Sequence, residues 1–314
     1  MGVWSFFAVS FFLFSSVRQW WVNTTWRLTV SLLLPLFIAS ITTILHFTRN
    51  NSVTVVGRSD RGVVDEMTAA SAQTGGATAT HAFVPVNAFL LSSVHDAVKI
   101  IAAKHDKIDY LVQSQGMATI QGFSPTPEEG LDQKLALHVY SRALFSRELQ
   151  PLMSKSEDAR SMSVLSAGVH SPYAGYKSDP ELSLGAYSIK NAADSAGFYN
   201  DICAEKFSQA YPKTSFFHAA PGFVATRWGT EMPTVIRWAV RAMQVFGRSE
   251  EDCAEYLVSG LTNPKHKGGF RLLDQYGQAT GKITSLHEEA KDFVFDHIMK
   301  VLDAGRAVAT KLSE

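Results

Sequence analysis

Apolar residues fall along this chain in two rhythms. Short unbroken runs near 52–57, 82–86, 108–112, 162–166 and 215–220 are too brief for helices and read as strands covered on both faces. Between them apolar positions recur every three or four residues, as in Val94, Val98 and Ile101. Leu131, Leu135, His138, Val139, Leu144 and Leu149 mark a long helix over 128–153. A second long helix opens at Tyr187, with Ala192, Ala196, Tyr199, Ile202, Cys203 and Phe207 on one face. Strands alternating with helices predict an α/β fold: a doubly wound, mainly parallel Rossmann-like sheet with helices on both faces. In such a sheet the chemistry lies at the carboxyl ends of the strands. The stretch 68–80, rich in Ala, Thr, Gly and Ser, reads as a flexible connection.

Residues 1–51 follow neither rhythm. Positions 3–16 are apolar and aromatic, Arg18, Trp20, Trp21, Trp26 and Arg27 interrupt, and 28–47 carries no charge. That second stretch is long enough to span a bilayer, with Trp and Arg at its start and Arg49 beyond its end. Three readings stand: a membrane anchor, the first strand and helix of the sheet, or a foreign segment in place of the natural first exon. Location follows from the choice, membrane-associated for the first and cytoplasmic for the others. The organisation expected is an apolar N-terminal segment, 1–51, and one Rossmann-like domain, 52–314.

Composition narrows the function. Lys plus Arg and Asp plus Glu are both 29 of 314 residues, so no bulk field draws nucleic acid. The two cysteines, Cys203 and Cys253, have neither metal-site nor disulfide spacing, and no metal is expected.

Several short motifs in the predicted order carry a resemblance. Val-Val-Gly57-Arg58 ends one strand, Ser166 ends a later one, and Tyr187-Ser-Ile-Lys190-Asn191-Ala-Ala opens a helix. Pro221-Gly222 with Thr226 follows the next strand. In this arrangement, from residue 52 to about 302, the chain resembles the short-chain dehydrogenase/reductase family. The resemblance implies an NADP-dependent oxidoreductase acting on a carbonyl or alcohol group of an apolar small molecule. Ser166 would orient the substrate oxygen and Tyr187 would transfer the proton. Arg58 and Ser59 would take the 2′-phosphate of NADPH, since Arg accommodates that group where an acid would not. Asn87, Gln115 and Gly116 would line the cofactor, with Pro221, Gly222 and Thr226 at its nicotinamide end. His138 falls where the family places an Asn that anchors a water, although a lone His on a helix face is more often a core residue. Residues 228–245 would cap an apolar substrate.

The departures from the family pattern are specific. No glycine occurs between Gly2 and Gly57, where a glycine-rich turn should lie near 32–39. Asn191 stands where the family has the Lys that activates the Tyr. Lys190, three residues after Tyr187, is the candidate replacement, because i+3 and i+4 both flank a helical residue. A literal Tyr-x-x-x-Lys, Tyr173 to Lys177, contains Gly175 and follows Pro172, so it is set aside as a loop within an insertion over 169–183. These departures keep open a second class, a non-catalytic relative that has lost cofactor binding and serves as a binding or scaffold protein. The resemblance implies a small-molecule partner and leaves open both self-assembly and membrane contact through 28–47.

Overall fold

The computed structural model describes residues 27–31, 52–73, 80–225 and 234–312. Eight strands form one sheet in the order β3-β2-β1-β4-β5-β6-β7-β8. They are β1 (Arg27–Ser31), β2 (Ser52–Gly57), β3 (His81–Pro85), β4 (Tyr110–Gln113), β5 (Ala159–Val164), β6 (Thr214–Ala219), β7 (Phe270–Leu273) and β8 (Ala279–Thr280). All neighbours run parallel except β7 and β8. The order reverses between β1 and β4, which opens a crevice at their carboxyl ends.

The unbroken apolar runs are explained by cover on both faces. Phe216 and Phe217 are both buried, yet they belong to different cores because successive strand side chains point to opposite faces. Phe216, Val56, Val84 and Leu111 pack under α2 (Leu91–Lys104), α5 (Ile189–Ala210) and α8 (Ser285–Leu312). Phe217, Val53, Val55, Val112 and Met162 meet α1 (Val63–Gln73) and α7 (Glu250–Thr262) on the other side. Three further helices are described. α3 starts at Gln133–Leu135, passes through a π-helical turn at Ala136–Tyr140 and continues as Ser141–Glu148, ahead of the short α4 (Gln150–Met153). α6 (Thr234–Gln244) follows β6.

Two expectations change. Leu28–Ser31 does not begin a membrane-spanning helix: these residues are paired in register with β2 and β4 at the middle of the sheet. Extended backbone takes its hydrogen bonds from neighbouring strands, which a spanning helix cannot do. The rest of 28–47 lies outside the described residues, and among the described ones no helix is long and apolar enough to cross a membrane. The first part of the Ala- and Thr-rich stretch, 68–73, is helical rather than a loose connection. α1 runs through Thr68 to Gln73, its start capped by the Asp60 carboxylate accepting the Val64 N–H, and Met67 is buried.

Candidate active site

Tyr187 stands just outside α5. The Ser188 side chain accepts the Asn191 N–H at 2.9 Å and caps the helix, so the helix begins at Ile189. Helical spacing therefore does not apply between Tyr187 and the two residues expected to assist it. Lys190 points to solvent and pairs with Asp194, one turn along the helix. The Asn191 amide turns back to the Ala186 carbonyl at 2.7 Å. Neither touches the Tyr187 hydroxyl, which corrects the expectation from the sequence.

The cation at Tyr187 comes from another helix. Lys134 Nζ donates to the Tyr187 hydroxyl at 3.0 Å and to the Gln121 carbonyl at 2.6 Å, and it lies 5.5 Å from the centre of the Tyr187 ring. Lys134 is 6 % exposed. Asp132 fixes its backbone by accepting the N–H groups of Lys134 and Leu135. Burial lowers the Lys134 pKa, offset in part by Asp132. Burial pushes the Tyr187 hydroxyl up to about 12, with the Asp132 charge adding to it. Lys134 was legible in principle, as a lysine interrupting the face formed by Leu131, Leu135 and His138.

His138 lies one turn further on, inside the π-helical turn. Its Nε2 accepts the Met117 N–H at 3.0 Å, and its carbonyl accepts from Asn200 at 2.8 Å. Burial, helped by Arg142 and Lys134, drives its pKa down to about 3. His138 is thus neutral near pH 7 and holds the loop after β4; it is no proton donor there. Gly116 lets that loop approach, since a Cβ at this position would lie 3.1 Å from His138 Nε2.

Ser166 lies two residues beyond the end of β5. Its N–H donates to His218 Nε2 at 3.0 Å, and its carbonyl accepts from His170 Nδ1 at 2.8 Å. Its side chain lies against α5 at Gly197, where an added Cβ would overlap both Ser166 Oγ and the His170 ring. Among the described residues no hydrogen bond joins Ser166 to Tyr187. The inserted loop between them is ordered by buried Asp179, whose carboxylate accepts the N–H groups of Ser183, Leu184 and Ala186. Within it the Tyr173 hydroxyl donates to the Asp179 carbonyl and Lys177 pairs with Glu289, so this Tyr-x-x-x-Lys makes no catalytic pair.

The residues expected at the cofactor divide. Arg58 and Ser59 are exposed at the carboxyl end of β2, and Arg61 donates to the Ser59 hydroxyl at 3.2 Å. Asn87 caps the turn into α2 by accepting the Phe89 N–H at 3.3 Å. Gln115 is buried, its amide donating to Ser141 at 3.3 Å and its carbonyl accepting from Arg142, so its side chain turns into the protein. Gly222, at φ 73°, turns the chain after Pro221 against Gln275. Thr226 and the turn expected near 32–39 lie outside the described residues.

Known proteins share this combination of sequence and fold. The model of the enoyl-(acyl carrier protein) reductase family matches residues 43–178. Over that stretch the chain is similar to this reductase family, and its fold is that of solved short-chain dehydrogenase/reductases. The oxidoreductase AN1596 of Emericella nidulans is 29 % identical over 144 residues, 46 % of this chain and 42 % of the relative. The oxidoreductase andH of Emericella variicolor is 28 % identical over 182 residues, 57 % of this chain and 51 % of the relative. The chain therefore spans about half the length of these relatives. Among solved structures, a short-chain dehydrogenase/reductase of Serratia marcescens superposes with a TM-score of 0.58 at 15 % identity, over 82 % of this chain and 99 % of the other. The NADPH-dependent 3-quinuclidinone reductase of Rhodotorula rubra gives 0.59 at 12 % identity, over 83 % and 94 %. Both likenesses bear on the fold.

The resemblance implies a nicotinamide dinucleotide, and the described residues offer one place suited to it. The exposed Arg58 and Ser59 offer a guanidinium and a hydroxyl at the carboxyl end of β2, suited to a phosphate. Gly222 makes its tight turn beyond β6 against the Gln275 side chain, where a Cβ would overlap Gln275 Oε1. The stretch after β1, which would face the pyrophosphate, is Leu-Leu-Leu-Pro-Leu-Phe-Ile-Ala, with no glycine.

Proposed function

We propose that this chain is an NADP(H)-dependent oxidoreductase that interconverts a carbonyl and an alcohol on an apolar small molecule, and that it favours reduction. The observation that carries this reading is the Lys134 ammonium 3.0 Å from the Tyr187 hydroxyl. When bound, the cofactor supplies the hydride. Arg58 and Ser59 hold its 2′-phosphate, Asn87 and the loop at Gln115 and Gly116 flank it, and the Pro221-Gly222 turn with Thr226 closes on its far end. Ser166 donates a hydrogen bond to the substrate oxygen. Tyr187 gives its proton to that oxygen as negative charge develops there. Lys134, already donating to the same hydroxyl, stabilises the phenolate left behind and relays a proton to it from solvent. The pairing does in space what a lysine four residues after the tyrosine does along a helix. The exposed Val235 and Trp238 of α6, with Met243 and Phe246, supply apolar surface for the substrate.

The raised Tyr187 pKa sets the direction. A proton donor with a pKa of about 12 stays loaded through neutral pH, whereas oxidation needs the phenolate. Measured against pH, alcohol oxidation is expected to climb up to pH 10 and beyond, while Tyr187 imposes no limit on reduction between about pH 6 and 9.

A second class, a non-catalytic relative, is favoured by the lack of glycine over 32–39 and by the absence of a Ser166–Tyr187 hydrogen bond among the described residues. Fluorescence titration of the full chain with NADPH separates the two. The proposal expects saturable binding that Arg58→Ala weakens by about tenfold or more, the scale of one lost charge-assisted contact. NADH binding should change little in that variant. A folded chain with no saturable binding would establish the second class.

A further inference from the structure

Beneath Ser166 lies a group of side chains for which the reading above has no use. Asp201 is buried on α5, and three histidines surround it. His218 Nδ1 bonds Oδ1 of its carboxylate, while His170 Nε2 and His287 Nε2 lie 3.2 and 3.3 Å from Oδ2. The histidines come from three places: the loop after β5, strand β6 and the first turn of α8. Their sequence positions give no hint of convergence.

The outer contacts fix the protons. His218 Nε2 accepts the Ser166 N–H, so its hydrogen is on Nδ1 and is donated to Asp201. His287 Nδ1 accepts the Thr284 N–H at 3.1 Å, a reciprocal cap on α8, so its hydrogen is on Nε2 and also faces Asp201. His170 differs. Its Nδ1 lies 2.8 Å from the Ser166 carbonyl, with the Ser166 hydroxyl further off at 3.5 Å, and its Nε2 faces the carboxylate, so the nearest partner of each nitrogen is an acceptor. Both are satisfied only in the imidazolium, whose charge balances Asp201.

We infer that Asp201, through His170 and His218, positions Ser166 by gripping both of its peptide groups, and that His287 locks the carboxylate from the opposite side. These four are positioning residues; the inference rests on the assignment of Ser166 to the substrate oxygen. Gly197 completes the device, because any side chain there would displace the His170 ring and the Ser166 hydroxyl together.

The charges around the cluster agree with this assignment. Burial alone would lower the His170 pKa, but the hydrogen bond and charge of Asp201, the Ser166 carbonyl and the Asp194 charge raise it. Burial holds the His218 pKa down against the charge and hydrogen bond of Asp201, which raise it, and the His170 and Arg142 charges add to the lowering. Lys282 approaches from the strand side, donating to the Gly168 carbonyl at 3.1 Å. His170, Asp201 and His287 are close enough to share a divalent cation, their ligand atoms lying within 4.8 Å of one another. The Thr284 N–H argues against that, because a ligating His287 Nε2 would need its hydrogen on Nδ1, where the Thr284 donor already points.

The test uses the full chain with histidine labelled in 15N. One imidazole, absent from the spectrum of His170→Gln, should carry both protons at pH 7 and lose one in Asp201→Asn. The Ser166 amide should exchange at least about a hundredfold faster in Asp201→Asn. Reduction of an apolar aldehyde by NADPH supplies a second readout. His170→Gln should lower kcat/KM by about tenfold or more, and Ser166→Ala with His170→Gln should be no worse than Ser166→Ala alone. Neutral imidazoles throughout at pH 7, additive losses in the double variant, or one zinc ion per chain that His170→Gln releases would each overturn the inference. A wild-type chain without reductase activity would defeat the assignment of Ser166 to a substrate but leave the cluster to the spectral and exchange results. Should Asp201→Asn not fold, the doubly protonated imidazole missing from His170→Gln and the double-variant comparison carry the test.

Discussion

Lys134→Met is expected to lower kcat for carbonyl reduction by about a hundredfold or more, with the substrate KM within a few-fold. Methionine keeps the length of the side chain, so packing at the start of α3 survives. What disappears is the charge 3.0 Å from the Tyr187 hydroxyl, an interaction that strengthens only as Tyr187 gives up its proton. An effect confined to that moment falls on kcat. Lys190→Ala is the informative comparison, because it removes a solvent-exposed ion pair with Asp194. Such pairs contribute little, and activity should stay within about threefold. Steady-state kinetics on the two variants decide between the cations. A dead Lys190→Ala beside an active Lys134→Met would return the role to the helix neighbour.

Asp201→Ala is expected to cost about 3–5 kcal/mol of folding stability, the range for breaking a buried ion pair from one side. The His170 imidazolium would lose its counter-charge, and His218 and His287 would each lose an acceptor. A melt should fall by about 5–8 °C for a chain of this size. The pH dependence gives a separate check. The raised His170 pKa contributes stability that is complete below about pH 6.5 and lost as pH rises through the folded value. His138, lowered to about 3 by burial, acts oppositely: its contribution is present above about pH 6.5 and lost as pH falls toward 3. Wild-type stability should therefore peak near neutrality, and Asp201→Ala should abolish the alkaline decline while keeping the acid one. Equal decline in both proteins above pH 7 would remove His170 from the account.

The strands were readable because parallel strands covered on both faces must be apolar throughout, a pattern that needs no partner to be recognised. β1 shows where that ends. Arg27–Ser31 is a five-residue strand that runs into the uncharged stretch 28–47, and the length of that stretch, with Trp and Arg at its start, suggested a membrane span as readily as a first strand and helix. The site was readable only in part. Ser166 and Tyr187 sit in recognisable local contexts, at a strand end and a helix start. The groups that act on them come from elsewhere: Lys134 is 53 residues from Tyr187, and His218 is 52 residues from Ser166. Helical spacing led to Lys190 because it took Tyr187 to be inside the helix, and Ser188, as the cap, puts it outside. Hydrogen bonds between distant segments leave no periodicity in the sequence.

The most direct test compares Tyr187→Phe with the wild type at pH 7, following NADPH oxidation in the presence of an apolar aldehyde and titrating NADPH binding in the same samples. The account predicts that the wild type turns over, that Tyr187→Phe loses about a thousandfold or more in kcat, and that it still binds NADPH within a few-fold of the wild type. Full reductase activity in Tyr187→Phe would contradict it, because the hydroxyl beside Lys134 would then not be the proton donor.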